Sequence, residues 1–428
     1  MPRSSRLGLL RDPDFGRLFA ATALGQLGDR VIYLALPIVA IVALNAGELQ
    51  VGVLTAMTTA GSLLVGLPAG AWVDRVRKRS VMIGTDLARA LILLTIPVAW
   101  WTDLLTIRWL CAVALAHGVL TVFFDVAHVS YLPHLVGRDH LVEGNAKLSA
   151  IRSVTSISGP GVAGPMIGWI GAPATLLVSS VGMAWSGLLA SGIRKPERKP
   201  EPSGRPRLGR EIKEGLKFVL RYPALRAIVL GDAVFNLFLV MYQTMLLVFL
   251  ERELGLGSFG IGLVFSGMGC GALTGALLAT RVSKWVGQGP VIWLAPLLTC
   301  PLTVLMPMAR PGWSVFVAVF GLAALSLGGV VRFVAQAGFQ QALTPDRLLG
   351  RMSATARFVS SGGIPLGGLL GGASGSVFGA TATLWIGAAG MTVSAVPTFL
   401  SPLRTMRALP AGEGSGPVRV NDGTTPVE

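Results

Sequence analysis

Apolar runs of about twenty residues recur from one end of this chain to the other, each long enough to cross a hydrocarbon core of roughly 30 Å as a helix. Only 13% of the 428 residues are charged, against about a quarter in a soluble domain. A surface with so little charge cannot mainly face water, and the sequence predicts an all-α integral membrane protein. Twelve spans are expected, near residues 16–43, 51–73, 80–101, 109–133, 145–170, 173–193, 225–250, 259–281, 289–309, 313–343, 351–376 and 380–401. A spanning helix satisfies its own backbone, so the Gly and Pro inside these runs mark bends or close helix contacts.

The charges sit mostly in the gaps between runs, so the net +15 is a topology signal and does not point to nucleic acid. One set of alternate loops holds the basic residues: the N-terminus, Arg75–Arg79, 138–147, 194–224, 281–284, 347–351 and the tail with Arg404 and Arg407. The opposite set holds Arg108, Arg252 and Arg310 alone. The positive-inside rule places the first set and both termini in the cytoplasm. The N-terminus is too charged for a secretory leader, so the first run is read as an uncleaved span. Cys111, Cys270 and Cys300 lie far apart in apolar segments and form neither a disulfide framework nor a metal spacing.

The longest polar stretch, IRKPERKPEPSGRPRLGREIKEG, divides the spans six and six. The expected organisation is a bundle over 1–193, a linker over 194–224, a bundle over 225–402 and a disordered tail over 403–428. Within the linker, Gly209 to Tyr222 is expected to form a short interfacial helix. At an offset of 205 residues, Gly66 and Gly70 match Gly271 and Gly275, and Arg152 and Pro160 match Arg357 and Pro365.

Two six-span halves joined by a basic loop resemble the major facilitator superfamily. The loop between spans two and three carries the most specific sign. It reads Gly70-Ala-Trp-Val-Asp74-Arg75-Val-Arg77-Lys78-Arg79, against a family pattern of roughly G-x-L-a-D-r-x-G-r-k/r. LGDRVIYLALP at 27–37, FFD at 123–125, LTPDRLLGRMSATARF at 343–358 and GPGVAGPMIGW at 159–169 resemble the drug- and siderophore-exporting branch, which holds enterobactin-exporter-like proteins. The arginine that branch carries on span four is absent: Ala114 stands there, followed by His117-Gly118. The resemblance implies two six-helix bundles, no cofactor and export of small amphipathic molecules by alternating access in exchange for protons. It also implies a monomer in the bacterial cytoplasmic membrane. In that family span two packs on span eleven, so Gly70 would allow close approach and Asp74 would face the start of span eleven and Arg357. Arg75 and Arg79 belong to the same gate, while the basic cluster also holds the loop inside.

Ionisable residues within spans are expensive and therefore functional candidates. Asp29, about 21 Å into span one at 1.5 Å per residue, is a candidate proton carrier, or else a permanent partner of Arg30. Asp125 is a second proton candidate. Asp86, Asp125 and Arg152 in one half and Asp232, Arg332 and Arg357 in the other are candidates to close an inner gate across the interface. Pairing within a half, such as Asp125 with Arg152 or Asp86 with Arg89, is the alternative. His117 and His128 read as hydrogen-bonded packing residues, with no metal partner at helical spacing. Tyr33, Asp232, Phe235, Asn236, Phe238, Tyr242 and Gln243 are candidates to line a substrate cavity. An uptake symporter is the main rival to export. His134 and Asp139 match an H-x4-D acyltransferase pattern, but that loop leaves no room for a domain. No Walker, H-E-x-x-H or G-x-S-x-G sequence occurs.

Overall fold

The computed structural model describes residues 8–137, 139–197 and 208–406; the tail beyond 406, residues 198–207 of the linker and the extreme N-terminus lie outside the described residues. Those described form helices in the order α1 (Pro13–Ile38), α2 (Glu48–Val73), α3 (Lys78–Trp101), α4 (Ile107–Val136), α5 (Leu141–Ile170), α6 (Ala172–Ser191), α7 (Leu208–Arg221) and α8 (Pro223–Val248), followed by α9 (Ser258–Val286), α10 (Gln288–Thr299), α11 (Ser314–Leu343), α12 (Asp346–Val393) and α13 (Val396–Phe399). The expected interfacial helix is α7.

Ten helices are long and apolar enough to cross a membrane, α12 counting once. The twelve of the sequence reading differ from this for two reasons. Helix α5, the fifth expected span, is 30 residues long and is not among the ten; its second half is free of charge but rich in Gly, Ser and Pro. The stretch counted as α12 holds both of the last two expected spans, two helical limbs that meet at a corner at Gly379, where φ is 84° and ψ 165°. A side chain is strained at that φ, so glycine makes the corner. Expected span nine shortens for a third reason: Pro301 has no N–H to donate, and the helix tightens into a 3-10 turn over Pro301–Leu305.

The two halves repeat in backbone detail. Helices α1 and α8 each end in a five-residue π turn, Val39–Ala43 and Phe249–Glu253. Asn45 and Gly255 follow with φ of 49° and 62°. Gly47 and Gly257 then cap α2 and α9 with φ of −69° and −64° and the same ψ of 167°. Gly171 and Gly379 repeat the corner after α5 and after the first limb of α12, at φ 82° and 84°. Helices α1–α3 and α8–α10 therefore correspond at an offset of 210 residues. That corrects the register of 205, which holds only for the starts of α5 and α12. The partner of Gly271 is Gly61, and both press on a facing backbone: an added Cβ would lie 2.5 Å from Val119 N in one and 2.1 Å from Ala323 O in the other.

The halves meet at the face opposite the chain termini. An added Cβ on Gly52 of α2 would fall 2.5 Å from Cα of Gly372 on α12. The related pair closes the other side, Gly262 of α9 lying 2.8 Å by the same measure from Cα of Gly164 on α5. Small residues let helix backbones touch in this way within lipid. Toward the terminal face the same helix faces come apart. Gly70 lies five turns along α2 from Gly52 on the same side, yet nothing comes within 4 Å of a Cβ placed there. Ala146 and Ala150 on α5 and Thr280 on α9, also in line with the glycine contacts, are exposed. The halves form a cleft closed at one end and open at the terminal end.

Candidate functional site

The first half holds a buried charge cluster midway along α3 and α4. Arg89 of α3 is fully buried, its guanidinium bonded to Asp86 one turn earlier and 3.4 Å from Asp29 of α1. Asp86, also 0% exposed, accepts from Ser186 of α6 at 2.7 Å. Arg89 reaches Thr121 of α4 at 3.4 Å and lies over the Phe124 ring, 4.5 Å from its centroid. His117 Nε2 stands 3.6 Å from Asp29. A planar fork with donors on separate nitrogens reaches two carboxylates and a hydroxyl on different helices, a span that the compact ammonium of lysine does not match.

The sequence reading missed the role of Arg89, giving it only as the i,i+3 neighbour of Asp86. An arginine does stand beside Asp29, supplied by α3 where the family pattern would place it on α4. The partner of Asp29 is accordingly Arg89, and Arg30 packs its stem against Gly159 of α5; His117, expected to be hydrogen-bonded, is buried with its Nε2 making no hydrogen bond among the described residues. Two carboxylates share one guanidinium, and the two differ in access: the Asp29 side chain is 27% exposed and that of Asp86 0%.

In the second half Asp232 of α8 pairs with Arg332 of α11 at 3.1 Å, and Arg332 covers the Phe235 ring at 4.1 Å. Asp86 and Arg332 are thus paired inside their own halves in this conformation. Asn236 donates to the Ser360 carbonyl of α12 at 3.0 Å. Tyr242 is fully buried and donates to the Thr303 carbonyl at 2.9 Å, and Phe235 is 6% exposed, so these two rings fill the second bundle and do not face the cleft. Tyr33 and Gln243 do face it from opposite halves, joined at 3.0 Å.

Asp125 of α4 is exposed and lies in the fields of Arg152 from its own half and Arg357 from the other. Both arginines are exposed, so the three charges stand on the walls of the open cleft. His128 packs as expected, hydrogen-bonded to Thr22 at 2.9 Å.

The basic loop has a local task as well. Glu197, just past α6, accepts from the backbone N–H groups of Lys78 at 2.8 Å and Arg79 at 3.1 Å, where the positive end of the α3 dipole favours a carboxylate. Arg79 donates to the carbonyls of Ala190 and Ser191 at the end of α6. Asp74 caps α2 and is exposed, as is Arg75. Among the described residues, Gly70, Asp74 and Arg75 make no gate contact in this conformation.

At the closed end Arg252, after α8, donates to Glu48 of α2 at 2.8 Å and to the Ala46 carbonyl at 2.6 Å. Neither Glu48 and Arg252 nor the glycines at 52, 164, 262 and 372 were among the sequence candidates. Nor do His134 and Asp139 meet as an acid–base pair: the His134 ring lies 3.1 Å from the Pro196 carbonyl.

A cleft between two pseudo-equivalent bundles, with ionisable groups on its walls, is the arrangement of a membrane transporter. The chain belongs to the Major Facilitator Superfamily, whose family model matches residues 18–367. It is a multi-pass transporter and not an enzyme. It is 26% identical to the multidrug efflux pump Tap of Mycolicibacterium fortuitum, over 91% of this chain and 96% of that one. It is also 26% identical to the enterobactin exporter EntS of Salmonella typhimurium, over 96% and 98% of the two chains. Among solved structures, a bacterial homologue of the iron transporter ferroportin in an inward-facing state superposes with a TM-score of 0.72 at 15% identity, covering 92% of this chain and 98% of that one.

Proposed function

We propose that this chain exports small amphipathic molecules, of the drug or siderophore kind, by alternating access in exchange for protons. The observation that carries the coupling is the Asp29–Arg89–Asp86 cluster. Two acids on one guanidinium leave a single negative charge to be balanced, and Asp29 is the member open to the cleft. A proton taken up there neutralises the cluster, and its release restores the charge. A species that binds differently to two conformations shifts their balance by that difference.

The basic terminal face is read as cytoplasmic, so the conformation described is the inward-open one. In the outward-open form Asp125 and Arg152 approach Arg357 from across the cleft, and Asp74 meets the start of α12, together closing the inner mouth. Asp232 and Arg332 hold the second bundle rigid behind this movement. The similarity to the efflux pump Tap and the exporter EntS supports the outward direction.

Everted membrane vesicles test the reading. Adding ethidium or enterobactin to energised vesicles is expected to release protons, and Asp29→Asn is expected to lower that release at least tenfold while the protein still reaches the membrane. Proton movement with neither probe, or an Asp29→Asn variant that exchanges protons as the parent does, would contradict it. Proton movement in the same direction as the probe would favour the uptake symporter.

A further inference from the structure

Helix α7 has three faces of different chemistry. One side packs on the second bundle: Val219, 2% exposed, joins Leu225 and Val229 of α8 and Met352 and Ala356 of α12. Next around the helix come Leu216 and Leu220, 39% and 52% exposed. Beyond them lie Lys217 and Arg221, both exposed, with exposed Tyr222 and Arg226 at the turn into α8. Among the described residues Lys217, Arg221 and Arg226 have no acidic partner. Residues 208–226 hold five cations against Glu211 and Glu214. The chain bends at Tyr222, where ψ is 110°, so α7 does not continue the line of α8 into the membrane.

We propose that α7 docks on anionic phospholipid headgroups, and that lipid bound there favours the open position of the inner limb of α12. The order of faces is that of a helix lying in the interface: packed side, apolar edge toward the acyl chains, basic edge toward the phosphates. A basic residue close to an anionic surface contributes about a fivefold gain in binding. The packing of Val219 on Met352 and Ala356 ties α7 to the limb that carries Arg357. When that limb tilts across the cleft, α7 moves with it and the basic edge leaves the headgroup plane. Lipid thus binds the two conformations unequally, which is the condition for shifting them. The effect on conformation rests on the alternating-access reading; the binding itself does not.

The full chain in nanodiscs tests both parts. Native mass spectrometry of protein released from phosphatidylcholine discs containing 30% phosphatidylglycerol is expected to show bound phosphatidylglycerol. The triple variant Lys217→Gln, Arg221→Gln, Arg226→Gln is expected to lose it by about 100-fold, and the charge-keeping Lys217→Arg, Arg221→Lys, Arg226→Lys variant to retain it. With spin labels at Val142→Cys and Trp285→Cys, phosphatidylglycerol is expected to raise the open-to-closed ratio about fivefold or more in the parent and to leave the Gln variant unmoved. Equal binding by parent and Gln variant would overturn the docking site, including the outcome in which lipid binds elsewhere. Loss of binding with no change in the distance distribution would overturn the link to α12 while leaving proton exchange unaffected.

Discussion

Gly372→Leu is expected to fold and insert normally and yet to lose transport, with the cleft held open on the face opposite the termini. A Cβ at this position would lie 2.7 Å from Cα of Gly52, 2.9 Å from the Glu48 carbonyl and 3.1 Å from the Gly52 nitrogen. All three are backbone atoms of the facing half, so no side chain can turn aside to make room. The clash exists only while the two halves touch. Overpacking of this kind costs about 1–3 kcal/mol, occasionally more, which moves a two-state balance about 5- to 150-fold. The same substitution at Gly164, where Cα of Gly262 lies 2.8 Å from the added atom, is expected to act alike because the two contacts are related by the repeat. Gly70→Leu, with open space around it in this conformation, should instead resist closure of the terminal end. A thermal melt within a few degrees of the parent, together with reversed labelling of single cysteines on the two faces, checks the result. Normal transport by Gly372→Leu would show that the halves do not meet there in the working cycle.

Arg89→Leu is expected to be the most damaging single change to stability. Removing a buried guanidinium strands Asp86, which is fully buried, and leaves Asp29 with His117 as its near neighbour. Breaking a buried pair by deleting one partner costs about 3–5 kcal/mol, because the remaining charge is buried and uncompensated. Arg89→Lys is expected to recover only part of this, since a point charge cannot span two carboxylates and Thr121. The double variant Asp86→Asn with Arg89→Gln removes both charges at the core of the cluster and should restore most of the melting temperature. Proton exchange should stay impaired, because Asp29 no longer shares a guanidinium. Full recovery of exchange in the double variant would remove Arg89 from the coupling mechanism and leave it a packing role.

Hydropathy and the distribution of Arg and Lys made the apolar helices and the position of α7 in the sequence legible, because each follows from local composition. Asp29, Asp125, Arg152 and Arg357 stood out as candidates, since a charge in an apolar run is visible wherever its helix turns. Tyr242 and Phe235 show what periodicity could not decide. In a bundle wet on one side and lipid-covered on the other, an aromatic residue faces cleft, lipid or neighbouring helix with no change of residue type. The glycine contacts escaped for a different reason. Gly52 and Gly164 look like any of the chain's 55 glycines, and only their repeat at 262 and 372 sets them apart. That repeat falls at offsets of 210 and 208, because α5 and the first limb of α12 differ in length, so no single register exposes all four. Arg89 was obscured by the opposite effect: its local partner Asp86 was enough to explain it, and its reach to α1 and α4 is visible only in three dimensions.

The most direct test of the rocking cleft is a pair of distances measured in one preparation. With the native cysteines replaced, spin labels at Val142→Cys and Trp285→Cys report the terminal face across α5 and α9. Labels at Leu104→Cys and Met308→Cys report the opposite face. Introducing Gly372→Leu is expected to shorten the first distance and lengthen the second, each by several ångströms. If both distances hold still, or both change in the same sense, the two halves do not pivot about the glycine contacts.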